Sequence, residues 1–141
     1  MIDRIEVFVT ELTVRVQRTI ASGSYDSGPR ERELGEPVLV RIYADGVVGY
    51  RQIRPSSPGH FVPDTTQNIV AAITEVYGPS LLGKQLFDTE SINELLDSRL
   101  HANPAARATL DIALHDARGK ALDVPVHKLI GGACQARIPL E

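Results

Sequence analysis

Ile5, Val7 and Val9 alternate with Arg4, Glu6 and Phe8, the period-two pattern of a strand with one buried face. The apolar parity then passes to Leu12, Val14 and Val16, which predicts a bend or bulge near Thr10 and Glu11. Residues 21–36 carry no periodicity and include Gly23, Gly28, Pro29 and Gly35, so a long exposed loop is predicted there. Alternation resumes over 38–43, a second strand. Ala44, Asp45 and Gly46 give a hairpin turn, and 47–53 returns as a third strand. Residues 54–59, rich in proline and serine, read as a second irregular loop.

Beyond it the period lengthens to that of a helix. Asp64 has Gln67 three residues on, a capping-box spacing, and Ile69, Ile73, Val76 and Tyr77 form a buried stripe that Gly78 and Pro79 are expected to stop. Asp88 or Thr89 caps a second helix with the stripe Ile92, Leu95, Leu96 and Leu100. A third begins at Asn103, a good N-cap, with Pro104 at the first helical position, where its missing N–H costs nothing. Ala106, Leu110, Ala113, Leu114, Ala117 and Ala121 recur along one face. Most of that face is alanine, so a packing partner can approach closely. Pro125 bars further helix, Gly131 and Gly132 make a turn, and 137–141 reads as the opening of a new strand. The order is a three-stranded antiparallel meander followed by a three-helix bundle, an α+β fold.

Composition leaves that picture intact. With 141 residues, 43% hydrophobic and 23% charged, the chain is ordinary globular material. The net charge of −3 and the scattered Lys and Arg give no clustered basic face for nucleic acid. No run approaches the ~20 apolar residues of a membrane span. The first four residues lack the start of a signal peptide, and the lone Cys134 suits a reducing compartment, so a cytoplasmic setting is expected.

Candidate chemistry is sparse. His115 and Asp116 are adjacent and, on a helix, point about 100° apart. Asp111 and His115 stand four apart and read as a local helix pair. His60, His101 and His127 are isolated, and Asp88 with Glu90 and Glu31 with Glu33 read as solvated charges. No converging carboxylates point to a tight Mg²⁺ site. Arg51 lies on an alternating strand, and Arg54 is held extended by Pro55.

One string carries more. Ala106-x-Ala108-x-x-Asp111-Ile112-Ala113-Leu114-x-Asp116-Ala117-x-Gly119-Lys120 continues through Pro125-Val126, Leu129-Ile130-Gly131-Gly132 and Arg137-Ile138-Pro139. It resembles the N-terminal capping domain of the enolase superfamily, in its mandelate racemase and muconate lactonizing enzyme branch. Asp45-Gly46 leading to Val48-Gly49-Tyr50 adds weaker support, and the resemblance covers essentially the whole chain. Two positions depart from it. His115 stands where the family often has Trp, and Arg51-Gln52 where it often continues Gly-Glu.

The resemblance implies a capping domain over 1–131 and, over 132–141, a linker and the first strand of a (β/α) barrel. In the family that barrel carries the chemistry. A lysine or histidine base abstracts a proton next to a carboxylate, and a metal ion, usually Mg²⁺, stabilises the product. The three lysines here, Lys84, Lys120 and Lys128, include no pair two apart, so the base motif and the metal carboxylates are expected beyond Glu141 and the chain alone is expected to be inactive, with no cofactor of its own. The parent would be a racemase or epimerase, a dehydratase or a cycloisomerase. The family's two mobile cap loops correspond to 20–28 and 50–59. Ser24, Tyr25, Tyr50, Arg51 and Arg54 are the candidate contacts to a small carboxylate substrate: arginine as a bidentate clamp, tyrosine as an apolar wall with a polar tip. The expected partners are the barrel and that substrate. A free-standing binding or oligomerisation module is the alternative. If the third helix normally rests partly on a barrel, its exposed stripe predicts a homo-oligomer, for instance by exchange of the terminal segment.

Overall fold

A computed structural model describes residues 1–11, 14–30, 36–55, 64–135 and 137. The expected meander is present. Strands β1 (Ile2–Val9), β4 (Val38–Ala44) and β5 (Val47–Ile53) form an antiparallel sheet in the order β1-β4-β5. The β4–β5 turn places Asp45 and Gly46 at φ 50° and 80°, the left-handed pair that a tight hairpin requires.

One expectation is overturned between β1 and β4. Most of the stretch expected as loop is a second hairpin, β2 (Val14–Ile20) paired with β3 (Gly23–Arg30) across a turn at Ala21 and Ser22. A backbone ladder needs no alternation of side chains, so β3 leaves no periodic trace. Pro29 is tolerated opposite Arg15, where the register shifts before Gln17. The remainder of the first loop (31–35), most of the second (56–59), Leu12, His60 and the closing 138–141 lie outside the described residues.

The helices correct the expected stops and caps. Helix α1 (Thr66–Ala71) is capped by Thr65, not Asp64. The Thr65 hydroxyl accepts the Asn68 N–H, and the Asn68 side chain accepts the Thr65 N–H. The helix then widens into a π-helical turn (Ala72–Tyr77) and continues as α2 (Gly78–Leu81), straight through the expected stop. The wide turn explains this. The Gly78 N–H donates to the carbonyl of Ile73, five residues back, and the local register no longer needs the N–H that Pro79 lacks. A Cβ on Gly78 would lie 2.7 Å from that carbonyl oxygen. Helix α3 (Thr89–Arg99) follows Asp88, and α4 (Pro104–Ala121) follows Asn103, but neither cap residue makes a side-chain cap bond. Asn103 instead adopts φ 74°, turning the chain sharply into Pro104. A one-turn helix, α5 (Val126–Leu129), closes the order.

The core lies between the sheet and the helices. Val38, Val40, Ile42 and Ala44 of β4 are buried while Leu39, Arg41 and Tyr43 face the other way. Against them pack Ile69, Ile73, Tyr77, Leu81, Ile92 and Leu96. Ala106, Leu110, Ala113, Leu114 and Ala117 of α4 are fully buried in this same core; only Ala121 of the stripe is exposed. The stripe is therefore spent inside the chain, and it supplies no exposed face for self-association.

Candidate functional site

The C-terminal half of α4 lies along the edge strand β5. Gly49 faces the helix at the crossing point. A Cβ there would sit 2.8 Å from the Ala117 Cβ and overlap the Ala113 carbonyl oxygen. Glycine on the strand and alanine on the helix let the two backbones touch.

On either side of that contact α4 seals the strand edge. In the antiparallel ladder, Val48 and Tyr50 turn their main-chain groups away from β4. Asp116 Oδ2 accepts the Tyr50 N–H at 2.8 Å and the Lys120 ammonium at 2.6 Å. Lys120 Nζ also donates to the Val48 carbonyl at 2.8 Å and stands 4.5 Å from the centre of the Tyr50 ring. A carboxylate and an ammonium thus satisfy two of these four groups, the Tyr50 N–H and the Val48 carbonyl, and a helix lies along an edge that would otherwise invite pairing.

Of the candidate contact residues, three share β5 and its exit. Tyr50 is 44% exposed and lies on the outer face of the sheet, where Arg41 stands 5.7 Å from its ring. The same guanidinium lies 4.8 Å from the Phe8 ring, and Glu6 beside it accepts the Tyr43 hydroxyl at 2.8 Å. Arg51 pairs with Val40 and so shares the helix-facing side of Gly49, yet it is exposed. Tyr50 and Arg51 therefore present to opposite faces. Arg54 follows the strand and is half-buried. Ser24 is exposed directly after the tip of the β2–β3 hairpin, opposite Thr19, and the Tyr25 backbone pairs with Arg18.

The pair His115 and Asp111 resolves as a local contact. His115 Nδ1 lies 2.9 Å from the Asp111 carbonyl and 3.5 Å from its carboxylate, the helix pair read from spacing. Arg107 joins α4 to α3 through Asp97 at 2.9 Å and Asn93 at 3.0 Å. Among the described residues no three His, Cys, Asp or Glu side chains gather as a metal site. No helix among them is long and apolar enough to cross a membrane. An open groove of about 330 Å³ lies between Asp116, Gly119 and Lys120 of α4 and the turn 123–126.

Sequence reasoning missed the reach of Asp116 and Lys120. Their four-residue spacing signals a helix pair, but nothing local signals the bonds to β5. Two more groups carry perturbed protons. Burial pushes the Tyr77 phenol up, with Arg107 opposing and Asp97 adding to the rise. Burial draws the Arg118 guanidinium down, with Asp111 opposing.

Comparison with known proteins places this architecture. The chain is 27% identical over 140 residues to the N-succinyl-L-Arg/Lys racemase of Bacillus cereus, covering 99% of this chain and 36% of that protein. Its crystal structure superposes with a TM-score of 0.75 over 95% of this chain and 34% of that one. Cis-3-hydroxy-L-proline dehydratase of Roseibium aggregatum is 30% identical over 141 residues, 99% of this chain and 36% of that protein. Muconate lactonizing enzyme from Pseudomonas fluorescens, complexed with muconolactone, superposes at a TM-score of 0.76 and 25% identity, covering 95% of this chain and 34% of the other. The chain spans about a third of the length of these relatives. Residues 6–131 match the model of the mandelate racemase / muconate lactonizing enzyme N-terminal domain, and the chain belongs to that family of the enolase superfamily.

Proposed function

We propose that this chain is the capping and substrate-specificity domain of an enzyme that abstracts the α-proton of a small carboxylate substrate, as a racemase or epimerase, a dehydratase or a cycloisomerase. The observation that carries this reading is the family match over 6–131, combined with a span of only about a third of the racemase and dehydratase relatives. In this reading residues 1–131 are the cap, and 132–141 link it to a barrel and begin that barrel's first strand. The proton-abstracting base and Mg²⁺ belong to the barrel, the isolated chain is inactive, and the enzyme works in the cytoplasm.

The cap's own work is recognition. Arg51 and Arg54 follow the point where α4 fixes β5, so they leave a rigid base at a set angle, which suits a bidentate clamp on a carboxylate. Tyr50 presents an apolar wall on the other face of β5, and Ser24 and Tyr25 of the β2–β3 hairpin are proposed as further contacts.

The test begins with the gene beyond the codon for Glu141. The reading requires a continuous frame of ~200 or more further codons for a barrel; a natural stop directly after Glu141 sinks it. The full-length product, with Mg²⁺ in D₂O and a panel of N-acylamino acids and dipeptides, should incorporate deuterium at the α-carbon, whereas the 141-residue chain should not. Arg51→Ala and Arg54→Ala should each lower kcat/KM roughly tenfold or more for the substrate that exchanges, the scale of a lost charged hydrogen bond.

A further inference from the structure

The two edges of the three-stranded sheet are treated differently. At β5, Asp116 of α4 takes the outward N–H of Tyr50 and Lys120 the outward carbonyl of Val48. At β1, the outward groups of Ile2 are occupied too: its N–H donates to the Lys84 carbonyl at 2.8 Å and its carbonyl accepts the Gly83 N–H at 2.9 Å. Among the described residues the backbone cover ends there.

The register fixes which groups remain. The Thr10 N–H donates to the Pro37 carbonyl at 2.8 Å, one step beyond the Val9–Val38 pair. In an antiparallel ladder the bonded residues alternate, so Arg4, Glu6 and Phe8 exchange bonds with β4. Ile5, Val7 and Val9 turn their N–H and C=O groups outward, and among the described residues none of these groups has a backbone partner. The side chains of this row lie on the core-facing side and are incompletely covered: Ile5 and Val7 are half-buried and Val9 is 48% exposed. No charge points inward from the row to discourage pairing.

We propose that this edge of β1 pairs antiparallel with the same edge of a second copy, about a two-fold axis through Val7, joining two three-stranded sheets into one.

Every whole-residue centre brings outward groups face to face, so opposed charges and strand length decide. A centre at Glu6 sets Glu6 against itself, and a centre at Phe8 sets Ile5 against Glu11. A centre at Ile5 sets Asp3 against Val7 of the other copy and draws the irregularity between Ile2 and Arg4 into the ladder. A centre at Val9 leaves the strand. A centre at Val7 sets Ile5 against Val9, Val7 against Val7, and Glu6 against Phe8. Over the five residues Ile5–Val9 the inner row is then wholly apolar, and no like charges stand opposite one another. Self-complementarity of this kind selects a second copy over an unrelated strand. Because α4 occupies the other edge, the assembly closes at two chains instead of growing into a fibre.

The test is sedimentation equilibrium on the 141-residue chain at about 100 µM, a concentration matched to a small interface. The expected result is twice the chain mass. Val9→Lys should weaken the dimer at least tenfold without disturbing the fold, because Val9 is already exposed. Val7→Pro should abolish it, with circular dichroism checking that the half-buried site still folds. For the register, Glu6→Cys/Phe8→Cys in a Cys134→Ser background should cross-link to a covalent dimer under oxidised glutathione. A wild-type monomer at this concentration overturns the proposal. So does a dimer indifferent to both edge variants, and so does a monomer whose Val7 amide is protected from hydrogen exchange, since the chain's own residues would then cover the edge.

Discussion

The Asp116 carboxylate accepts the main-chain N–H of Tyr50 at 2.8 Å, across a separation of 66 residues. A single helical side chain thereby fixes the middle of an edge strand, one residue before the exposed Arg51. Asp116 is about a third exposed, and its second partner, Lys120, is more so. Replacing Asp116 with Ala should therefore cost about 1–2 kcal/mol, the scale of losing a charged acceptor from a partly buried N–H. Asp116→Asn keeps an oxygen for the Tyr50 N–H and should recover part of that loss. Amide exchange at Tyr50 supplies a local readout: it should accelerate in Asp116→Ala while the core amide of Ile42 stays slow.

Gly49→Ala should be more damaging than its size suggests. The added methyl would enter backbone on two sides, the Ala113 carbonyl and the Ala117 N–H, which have no rotamer with which to yield. A cost of about 3 kcal/mol is expected, at the upper end of overpacking penalties. Chemical denaturation measures it directly. A loss under 1 kcal/mol would show that α4 can slide off the strand.

How much of this was legible beforehand differs from element to element. The sheet and the α4 stripe were, because alternation over 38–43 and three- and four-residue steps from Ala106 to Ala117 report burial directly. The β2–β3 hairpin was not: its ladder is made of backbone, and 21–36 has no apolar rhythm to reveal it. The run through Gly78 and Pro79 was hidden for a related reason, since a π turn removes the very hydrogen bond on whose loss the expected stop depended. The candidate site divides the same way. Tyr50, Arg51 and Arg54 stood out by type and position, but which face each one meets depends on register with β4. The seal by Asp116 and Lys120 depends on a contact that only the fold creates.

Tyr77 gives a pH dependence with a definite sign. Its phenol is 1% exposed, and burial raises its pKa above the ordinary value of about 10. Above that pH the unfolded chain ionises the residue while the folded chain still holds the proton. The folded state then binds more protons, so stability is fully present below about pH 10 and is lost as the pH rises through the folded value. Wild type and Tyr77→Phe, unfolded in urea at pH 8 and pH 11, should differ in how far stability falls, with the smaller fall in the phenylalanine variant. Parallel losses would remove Tyr77 as the source.

Arg118 poses the opposite question, whether a buried charge stabilises at all. The residue is 4% exposed, and its Nε donates to the Leu86 carbonyl at 2.8 Å. Nη1 and Nη2 are buried and, among the described residues, make no hydrogen bond. One bond therefore offsets the desolvation of a whole guanidinium, a poor exchange compared with apolar filling of the same space. Arg118→Met keeps most of the volume and gives up both the charge and the Leu86 bond, so stability should stay within about 1 kcal/mol of wild type or rise. Arg118→Ala leaves a cavity as well and should cost about 2–3 kcal/mol. The comparison separates volume from charge. If methionine proves as costly as alanine, the guanidinium's hold on the loop before α3 is what this position supplies, and the unbonded Nη groups matter less than that single anchor.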